Sequence, residues 1–344
     1  MFNIQVYNSI AKSGLSKFDS KKFNISTEVV EPQAYLMRSH KLHGQPIPSS
    51  LVALARAGAG VNNIPVEEYT ERGIVVFNTP GANANAVKEL IVASLLIGSR
   101  DIIGGIEYAN ALIGINDFAE MNRLLEKEKK RFAGEEIFGK TLGIVGLGAI
   151  GSMVANLGSS LGMKVIGYDP AISVETAWQL SSKVKRMDSL ETLLSQSDFV
   201  TLHVPAIPST KDLINSKNLR KMKPSAKLLN FARAEIVNLN DLIDAIENKV
   251  IGGYISDFPM PGMIGLKNVL LMPHIGASTK EAEENCAVMA SEQLIDFLEN
   301  GNIMNSVNFP STEMARTDGT RITFTNENIP KVLGQVLSLS LIHI

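Results

Sequence analysis

Apolar residues in the first hundred positions form short runs that alternate with longer stretches of helical periodicity. The runs NIQVY, AYLMRS, LVALARAG and IVVFN are typical of buried strands. Between the last two, VEEYTERG predicts a helix ending at Gly73, because glycine readily adopts the left-handed conformation of a C-cap. From Asn85, NAVKELIVASLLIGSRDIIGGIEYANAL keeps a helical apolar spacing and predicts one long helix.

A second series of strand and helix patterns follows a charged segment, EKEKKRFAGEE, which is typical of a solvated hinge. Its strand-like runs are KTLGIVGLG, KVIGYDP, DFVTLHVP, AKLLNFAR, GGYISDFP and VLLMPHIG. Six strands that each precede helix-like sequence predict a doubly wound parallel sheet. A last long amphipathic helix is predicted to begin at Thr279 and end at Gly301. The pattern as a whole predicts an α/β fold with two domains.

Composition and charge narrow the possible functions. The chain has 344 residues, enough for two domains, with 45% hydrophobic and 20% charged residues. A net charge of −2 gives no sign of a nucleic acid or an anionic membrane as partner. Cys286 is the single cysteine, which excludes an intramolecular disulfide, and no apolar run approaches a membrane span in length. We therefore expect a cytoplasmic protein, and no metal site is predicted.

A glycine-rich turn, GLGAIG, links the first strand of the second series to a helix. Gly146 permits the tight turn, Gly148 permits close approach of a pyrophosphate, and Gly151 permits close packing of helix and strand. Ala149 and Ile150 would open the helix whose N-terminus faces the phosphates. Asp169, at the end of the next strand, would bind the adenosine ribose and repel a 2′-phosphate. The motif predicts NAD as the cofactor, in preference to NADP.

Three ionisable residues follow later strands of the same series. Arg233 follows KLLNF, Asp257 follows GGYIS, and His274 follows VLLMP. The carboxyl ends of parallel strands line one crevice, where ligands bind. An arginine, an aspartate and a histidine beside a dinucleotide loop suit hydride-transfer chemistry.

Several stretches resemble the D-isomer-specific 2-hydroxyacid dehydrogenase family, and within it the enzymes acting on D-3-phosphoglycerate. They span about Arg38 to Pro310 and include FGKTLGIVGLGAIG, DFVTLHVPAIPSTKDLIN, LLNFARAEIV and NVLLMPHIGASTKEAEENCAVMA. The resemblance implies a flavodoxin-like substrate domain (1–100 plus 282–310) and an NAD-binding Rossmann domain (101–281). It also implies NAD-dependent oxidation of D-3-phosphoglycerate to 3-phosphooxypyruvate, the first step of serine synthesis, by a homodimer or homotetramer.

The resemblance also assigns roles to residues. His274 would be the general base for the C2 hydroxyl proton, and Arg233 would bind the substrate carboxylate. The other substrate-binding residues implied are two phosphate-binding arginines and a carboxylate-binding set, namely Arg38, Arg56, Ala59, Gly60, Val61 and Asn83. The other residues expected to line the cofactor are His203, Val204, Pro205, Thr210, Ala232, Arg233, Asp257, His274 and Gly276.

The chain departs from the family pattern at two places. The glutamate that the family places between the aspartate and the histidine is missing, and Ser256 occupies the position of the family aspartate. His274 could therefore be partnered by Asp257, by Glu235 or by neither. The segment 319–344 resembles the opening strand and helix of an ACT regulatory domain, or else is an oligomerisation tail. A hydroxypyruvate or glyoxylate reductase and a non-catalytic NAD-sensing protein remain alternative functions.

Overall fold

The computed structural model of the chain describes residues 1–317, 326 and 330–343. Its strands are β1 (Phe2–Val6), β2 (Phe23–Ser26), β3 (Ala34–Met37), β4 (Ala53–Arg56), β5 (Val75–Phe77), β6 (Thr141–Val145), β7 (Lys164–Tyr168), β8 (Lys185–Arg186), β9 (Phe199–Leu202), β10 (Lys227–Asn230), β11 (Gly253–Ser256) and β12 (Val269–Leu271). Its α-helices are α1 (Lys12–Leu15), α2 (Val66–Glu71), α3 (Ala84–Ser99), α4 (Ile102–Ala111), α5 (Phe118–Glu128), α6 (Ala149–Ser160), α7 (Val174–Gln179), α8 (Leu190–Gln196), α9 (Ser216–Leu219), α10 (Leu239–Glu247), α11 (Lys280–Asn300) and α12 (Val332–His343). Short 3₁₀ turns cover Lys129–Phe132 and Ala234–Ile236.

These elements form two compact units. The first comprises Met1–Ala82 and Glu283–Ile344, and the second comprises Asn83–Ala282. The sequence predicted a domain boundary at residue 100, and this boundary stays a prediction. The boundary between the two compact units lies earlier, before α3. The reason is that Ile91 and Leu95 of α3 are buried in a cluster with Leu229 and Ile255 of the second sheet.

The first unit is built on a five-stranded parallel sheet in the order β2-β1-β3-β4-β5. Alternate residues of each strand point to opposite faces. One face, including Leu36, packs against Ala290 and Leu294 of α11, while the other, including Leu54, packs around Tyr69 of α2. The β2 strand was not predicted, because FNIS carries polar residues at two of its four positions.

The second unit is built on a seven-stranded parallel sheet in the order β12-β11-β10-β9-β6-β7-β8. Six of its strands are those predicted, and the seventh, β8, is a two-residue exposed edge strand without an apolar run. The prediction of two doubly wound parallel-sheet domains is confirmed.

The predicted long helix from Asn85 is wrong in one respect, because it is two helices. α3 ends at Ser99, and Arg100 is extended, with φ −140° and ψ 154°. Asp101 then caps α4, its carboxylate accepting a hydrogen bond from the N–H of Gly104 at 3.0 Å. An aspartate favours a new N-cap, and the apolar periodicity on both sides hid the break.

The ends of the last long helix were predicted correctly. The Thr279 hydroxyl accepts a hydrogen bond from the N–H of Ala282 at 3.1 Å, and Gly301 has φ +71°. Of the ACT-like segment 319–344, the predicted strand TRITF lies outside the described residues, and its likeness to an ACT domain stays a prediction. No helix within the described ranges has both the length and the apolar character needed to cross a bilayer.

Candidate functional site

The carboxyl ends of five adjacent strands in the second unit form one row. The strand register aligns Val145 with Leu202, Leu202 with Asn230, Asn230 with Ser256, and Ser256 with Leu271. The residues that immediately follow this row belong to the glycine loop, the His203 segment, the Arg233 segment, Asp257 and the His274 segment. The sheet therefore brings the glycine loop, His203, Arg233, Asp257 and His274 together along one edge.

Two of the three loop glycines are required by close packing. Gly146 has φ +90°, and a Cβ there would lie 2.6 Å from the carbonyl oxygen of His203. A Cβ at Gly151 would lie 2.0 Å from the carbonyl oxygen of Gly146. A Cβ at Gly148, in contrast, would meet no atom within 4 Å. Gly148 therefore faces open space directly before Ala149 and Ile150, the first residues of α6, as a phosphate-binding turn requires.

Asp169 ties the glycine loop to the end of β7. One carboxylate oxygen accepts a hydrogen bond from the N–H of Leu147 at 2.7 Å, and the other accepts one from Ala171 at 2.9 Å. A carboxylate has about four acceptor positions, so both oxygens can accept further bonds from ribose hydroxyls.

His203 lies beneath the glycine loop, with its carbonyl next to Gly146. Its Nε2 is 3.0 Å from the hydroxyl oxygen of Thr201, while its Nδ1 is buried without a hydrogen-bond partner among the described residues. Desolvation lowers the pKa of His203 to about 3. The following segment packs Val204 against the core and exposes Pro205, and Thr210 closes it by accepting a hydrogen bond from the N–H of Ile207 at 3.0 Å.

The backbone around Arg233 is held by Asn230, which the sequence reasoning missed. The Asn230 side chain is fully buried, donates to the carbonyl of Arg233 at 2.8 Å and accepts from the N–H of Ala232 at 3.2 Å. Arg233 itself is half-buried, and its Nη1 donates to the carbonyl of Ala232 at 2.7 Å. A polar residue that closes the apolar strand KLLN was the available signal for Asn230.

Asp257 is committed to the backbone of the histidine loop. The residue is 2% exposed, and its carboxylate accepts hydrogen bonds from the N–H of Ile275 at 2.7 Å and of Gly276 at 2.6 Å. Its carbonyl accepts a third bond, from the N–H of His274 at 3.0 Å. These contacts hold His274 at φ +57°, a left-handed conformation that is unfavourable for a residue with a side chain.

The His274 ring is exposed, and the ring of Phe258 lies against it with a centroid separation of 4.9 Å. Within the second unit, as far as the structure describes it, no carboxylate is hydrogen-bonded to the ring. The carboxylate of Asp257 points to backbone amides, and Glu235 is exposed. Of the three alternatives, a ring partnered by Asp257, by Glu235 or by neither, this geometry corresponds to the last.

The first unit carries both predicted phosphate-binding arginines at neighbouring strand ends. Arg38 follows β3, and Arg56 ends β4. The Nε of Arg56 donates to the carbonyl of Arg38 at 3.0 Å, and Asn63 donates to the same carbonyl at 3.3 Å. Gly58 leaves room for this arrangement, since a Cβ there would lie 2.6 Å from Nη1 of Arg56.

The predicted carboxylate-binding loop follows directly. Among the described residues, no group accepts a hydrogen bond from the N–H of Ala59, Gly60 or Val61, so these donors are available to an anion. Asn78 fixes the loop by donating to the carbonyl of Ala59 at 2.6 Å. Asn83 immediately precedes α3 and belongs to the second unit.

No cluster of metal-ligating side chains occurs in the part of the chain that the structure describes.

Comparison with known proteins identifies the family of the chain. Residues 108–276 match the family model described as D-isomer specific 2-hydroxyacid dehydrogenase, NAD binding domain. A D-3-phosphoglycerate dehydrogenase of Synechocystis sp. is 37% identical over 318 residues, which is 89% of this chain and 53% of that relative. That of Haemophilus influenzae is 35% identical over 298 residues, covering 83% of this chain and 68% of the relative.

A solved structure shows the same fold. The NAD⁺-bound 3-phosphoglycerate dehydrogenase of Entamoeba histolytica superposes with a TM-score of 0.69 at 25% identity, covering 90% of this chain and 99% of that one. The chain thus spans about half to two thirds of the length of the two sequence relatives named above. The chain belongs to the D-isomer specific 2-hydroxyacid dehydrogenase family, and its second unit carries the NAD-binding domain of that family.

Proposed function

We propose that the protein oxidises D-3-phosphoglycerate to 3-phosphooxypyruvate with NAD, and catalyses the reverse reaction. The observation that carries the proposal is the row of strand ends that sets Arg233 and His274 on the same sheet edge as the glycine loop. The names of the two sequence relatives and of the E. histolytica structure support the choice of substrate.

In this proposal the residues of the second unit divide the work of the reaction. The Arg233 guanidinium binds the substrate carboxylate, because its planar fork matches the two carboxylate oxygens. His274 accepts the proton of the C2 hydroxyl as the C2–H and O–H bonds break and the C2–O double bond forms. NAD, held by the glycine loop and Asp169, would supply the hydride acceptor at C2. In the reverse direction His274 returns the proton to the oxygen.

The first unit supplies the proposed selectivity for a phosphorylated substrate. Two guanidinium groups at the ends of β3 and β4 suit a dianion, and the free N–H groups of Ala59, Gly60 and Val61 suit a carboxylate. A reductase of hydroxypyruvate or glyoxylate has no phosphate to bind, and a non-catalytic NAD sensor has no need of both Arg233 and His274.

The direct test compares NADH oxidation with 3-phosphooxypyruvate, hydroxypyruvate, glyoxylate and 2-oxoglutarate under the same conditions. We expect the highest kcat/KM with 3-phosphooxypyruvate. Arg38→Gln should raise the KM for that substrate roughly tenfold to a hundredfold, the effect of one lost charge-assisted contact, and should change the KM for hydroxypyruvate little. Equal kcat/KM for phosphorylated and unphosphorylated substrates would assign the protein to the reductases instead.

We also propose that the protein is a homodimer or homotetramer in the cytoplasm. The helices α4 and α5 contain no buried residue, and they carry or flank large exposed apolar side chains. Ile106 is 56% exposed and Phe118 is 81% exposed. Exposed apolar side chains of this kind make α4 and α5 a suitable contact surface for a second copy of the chain. Light scattering should give at least a dimer mass for the native chain and a lower mass for Ile106→Glu with Phe118→Glu.

A further inference from the structure

One of the two proposed phosphate ligands is paired with a carboxylate of its own unit. Nη1 of Arg38 lies 2.7 Å from a carboxylate oxygen of Glu283. The two side chains are 38% and 45% exposed, so water can replace either partner and the pair can open.

The carboxylate is held near Arg38 by the packing of its helix. Glu283 lies on α11, and the neighbouring residues Cys286, Ala287 and Ala290 of that helix are buried in the core of the first unit. The backbone of Arg38 is fixed as well, because its carbonyl accepts hydrogen bonds from Arg56 and Asn63. Both backbones are thus anchored, and only the two side chains can rearrange.

We propose that Glu283 is a specificity-determining residue whose carboxylate competes with a phosphate group for Arg38. This inference rests on the proposed function, since it concerns the same arginine. A phosphate dianion that reaches Arg38 must displace the carboxylate or lie beside its negative charge, and both oppose binding. Glu283 therefore weakens the affinity for phosphorylated 2-hydroxy acids and leaves that for unphosphorylated ones unaffected.

The first experiment measures steady-state kinetics of the full chain and its Glu283→Gln variant. The KM for 3-phosphooxypyruvate should fall by up to about fivefold, the upper value for an exposed ion pair, while kcat stays unchanged. The KM for hydroxypyruvate should not change. A fall in KM for both substrates alike, or no fall for the phosphorylated one, overturns the proposal.

The chain offers a matched control on the same helix. Glu292 pairs with Lys17 at the same distance, 2.7 Å, with side chains 55% and 43% exposed. Glu292→Gln removes an equal charge from an equivalent ion pair remote from the arginines at the ends of β3 and β4. It should leave both KM values unchanged, and an effect equal to that of Glu283→Gln overturns the assignment to Glu283.

A second experiment separates failure of this inference from failure of the proposed function. Titration calorimetry with inorganic phosphate reports on the arginines whether or not 3-phosphooxypyruvate is a substrate. Glu283→Gln should bind phosphate more tightly than the native chain, and it should gain nothing in an Arg38→Gln background. Unchanged or weaker phosphate binding in Glu283→Gln, or an equal gain without Arg38, overturns the competition.

Discussion

The Asp257→Asn substitution tests whether this carboxylate holds the histidine loop. The residue is 2% exposed, and its side chain accepts two backbone hydrogen bonds, from Ile275 and Gly276. The asparagine carbonyl can accept one of them, but its amide group would face the other N–H with a second donor. Hydrogen bonds to charged groups contribute about 1.5–3 kcal/mol each, so we expect the free energy of unfolding to fall by that amount.

The same substitution should lower activity. The two carboxylate contacts of Asp257 help to hold His274 in a left-handed conformation, and a loop that loses one of them would relax. Since a misplacement of about 1 Å can lower a rate about 10²-fold, we expect kcat to fall at least tenfold. Thermal unfolding followed by circular dichroism should show a midpoint lower by about 3 to 12 °C, which follows from roughly 2–4 °C per kcal/mol.

Asp198 provides the control for this experiment. Its carboxylate accepts a hydrogen bond from the N–H of Thr141 at 2.8 Å and pairs with Lys223 at 2.8 Å, at the opposite edge of the same sheet. Asp198→Asn should lower the midpoint and leave kcat unchanged. If Asp257→Asn keeps the unfolding midpoint and the kcat of the native chain, Asp257 does not hold the histidine loop. If the midpoint falls and kcat does not, Asp257 stabilises the loop but does not position His274.

Four further predictions follow from the cofactor and catalytic residues. Gly148→Ala should fold normally, because its Cβ would meet no protein atom, but it should bind NADH weakly in a fluorescence titration, because the Cβ would occupy the space for the pyrophosphate. Gly151→Ala should lower the midpoint of thermal unfolding, because its Cβ would overlap the carbonyl oxygen of Gly146. NAD(H) should be preferred over NADP(H) by at least about tenfold in kcat/KM, and Asp169→Ala should reduce that ratio. Between about pH 6.5 and pH 3, His203 is protonated in the unfolded chain and not in the folded chain, so the free energy of unfolding falls as the pH falls. In denaturant titrations, His203→Gln should lower the slope of the free energy of unfolding against pH by up to about 1.4 kcal/mol per pH unit. An unchanged slope would contradict the lowered pKa of His203. His274→Ala should lower kcat by ~10²–10⁴ with NADH affinity retained, and activity within a few-fold of the native chain would assign the histidine a structural role.

The sequence alone determined the features that depend on local patterns. Apolar runs with helical sequence between them indicated two parallel sheets, because a strand buried on both faces must be apolar throughout. The glycine turn, the cap at Thr279 and the end at Gly301 were predictable, since each depends on the conformation of a few consecutive residues. The position of Arg233 and His274 on one edge followed from the alternation, because the carboxyl ends of parallel strands line the same edge of a sheet.

Tertiary structure decided what depends on contacts between distant residues. The break before Asp101 lies within an uninterrupted apolar periodicity, so no local signal distinguished one helix from two. The orientation of Asp257 was undetermined, because an aspartate at a strand end next to that of the histidine can bond to the ring or to the loop backbone. Burial with two amide donors selects the backbone. The pairing of Arg38 with Glu283 was hidden for the same reason: only the packing of α11 against the first sheet brings these two charges within 2.7 Å of each other.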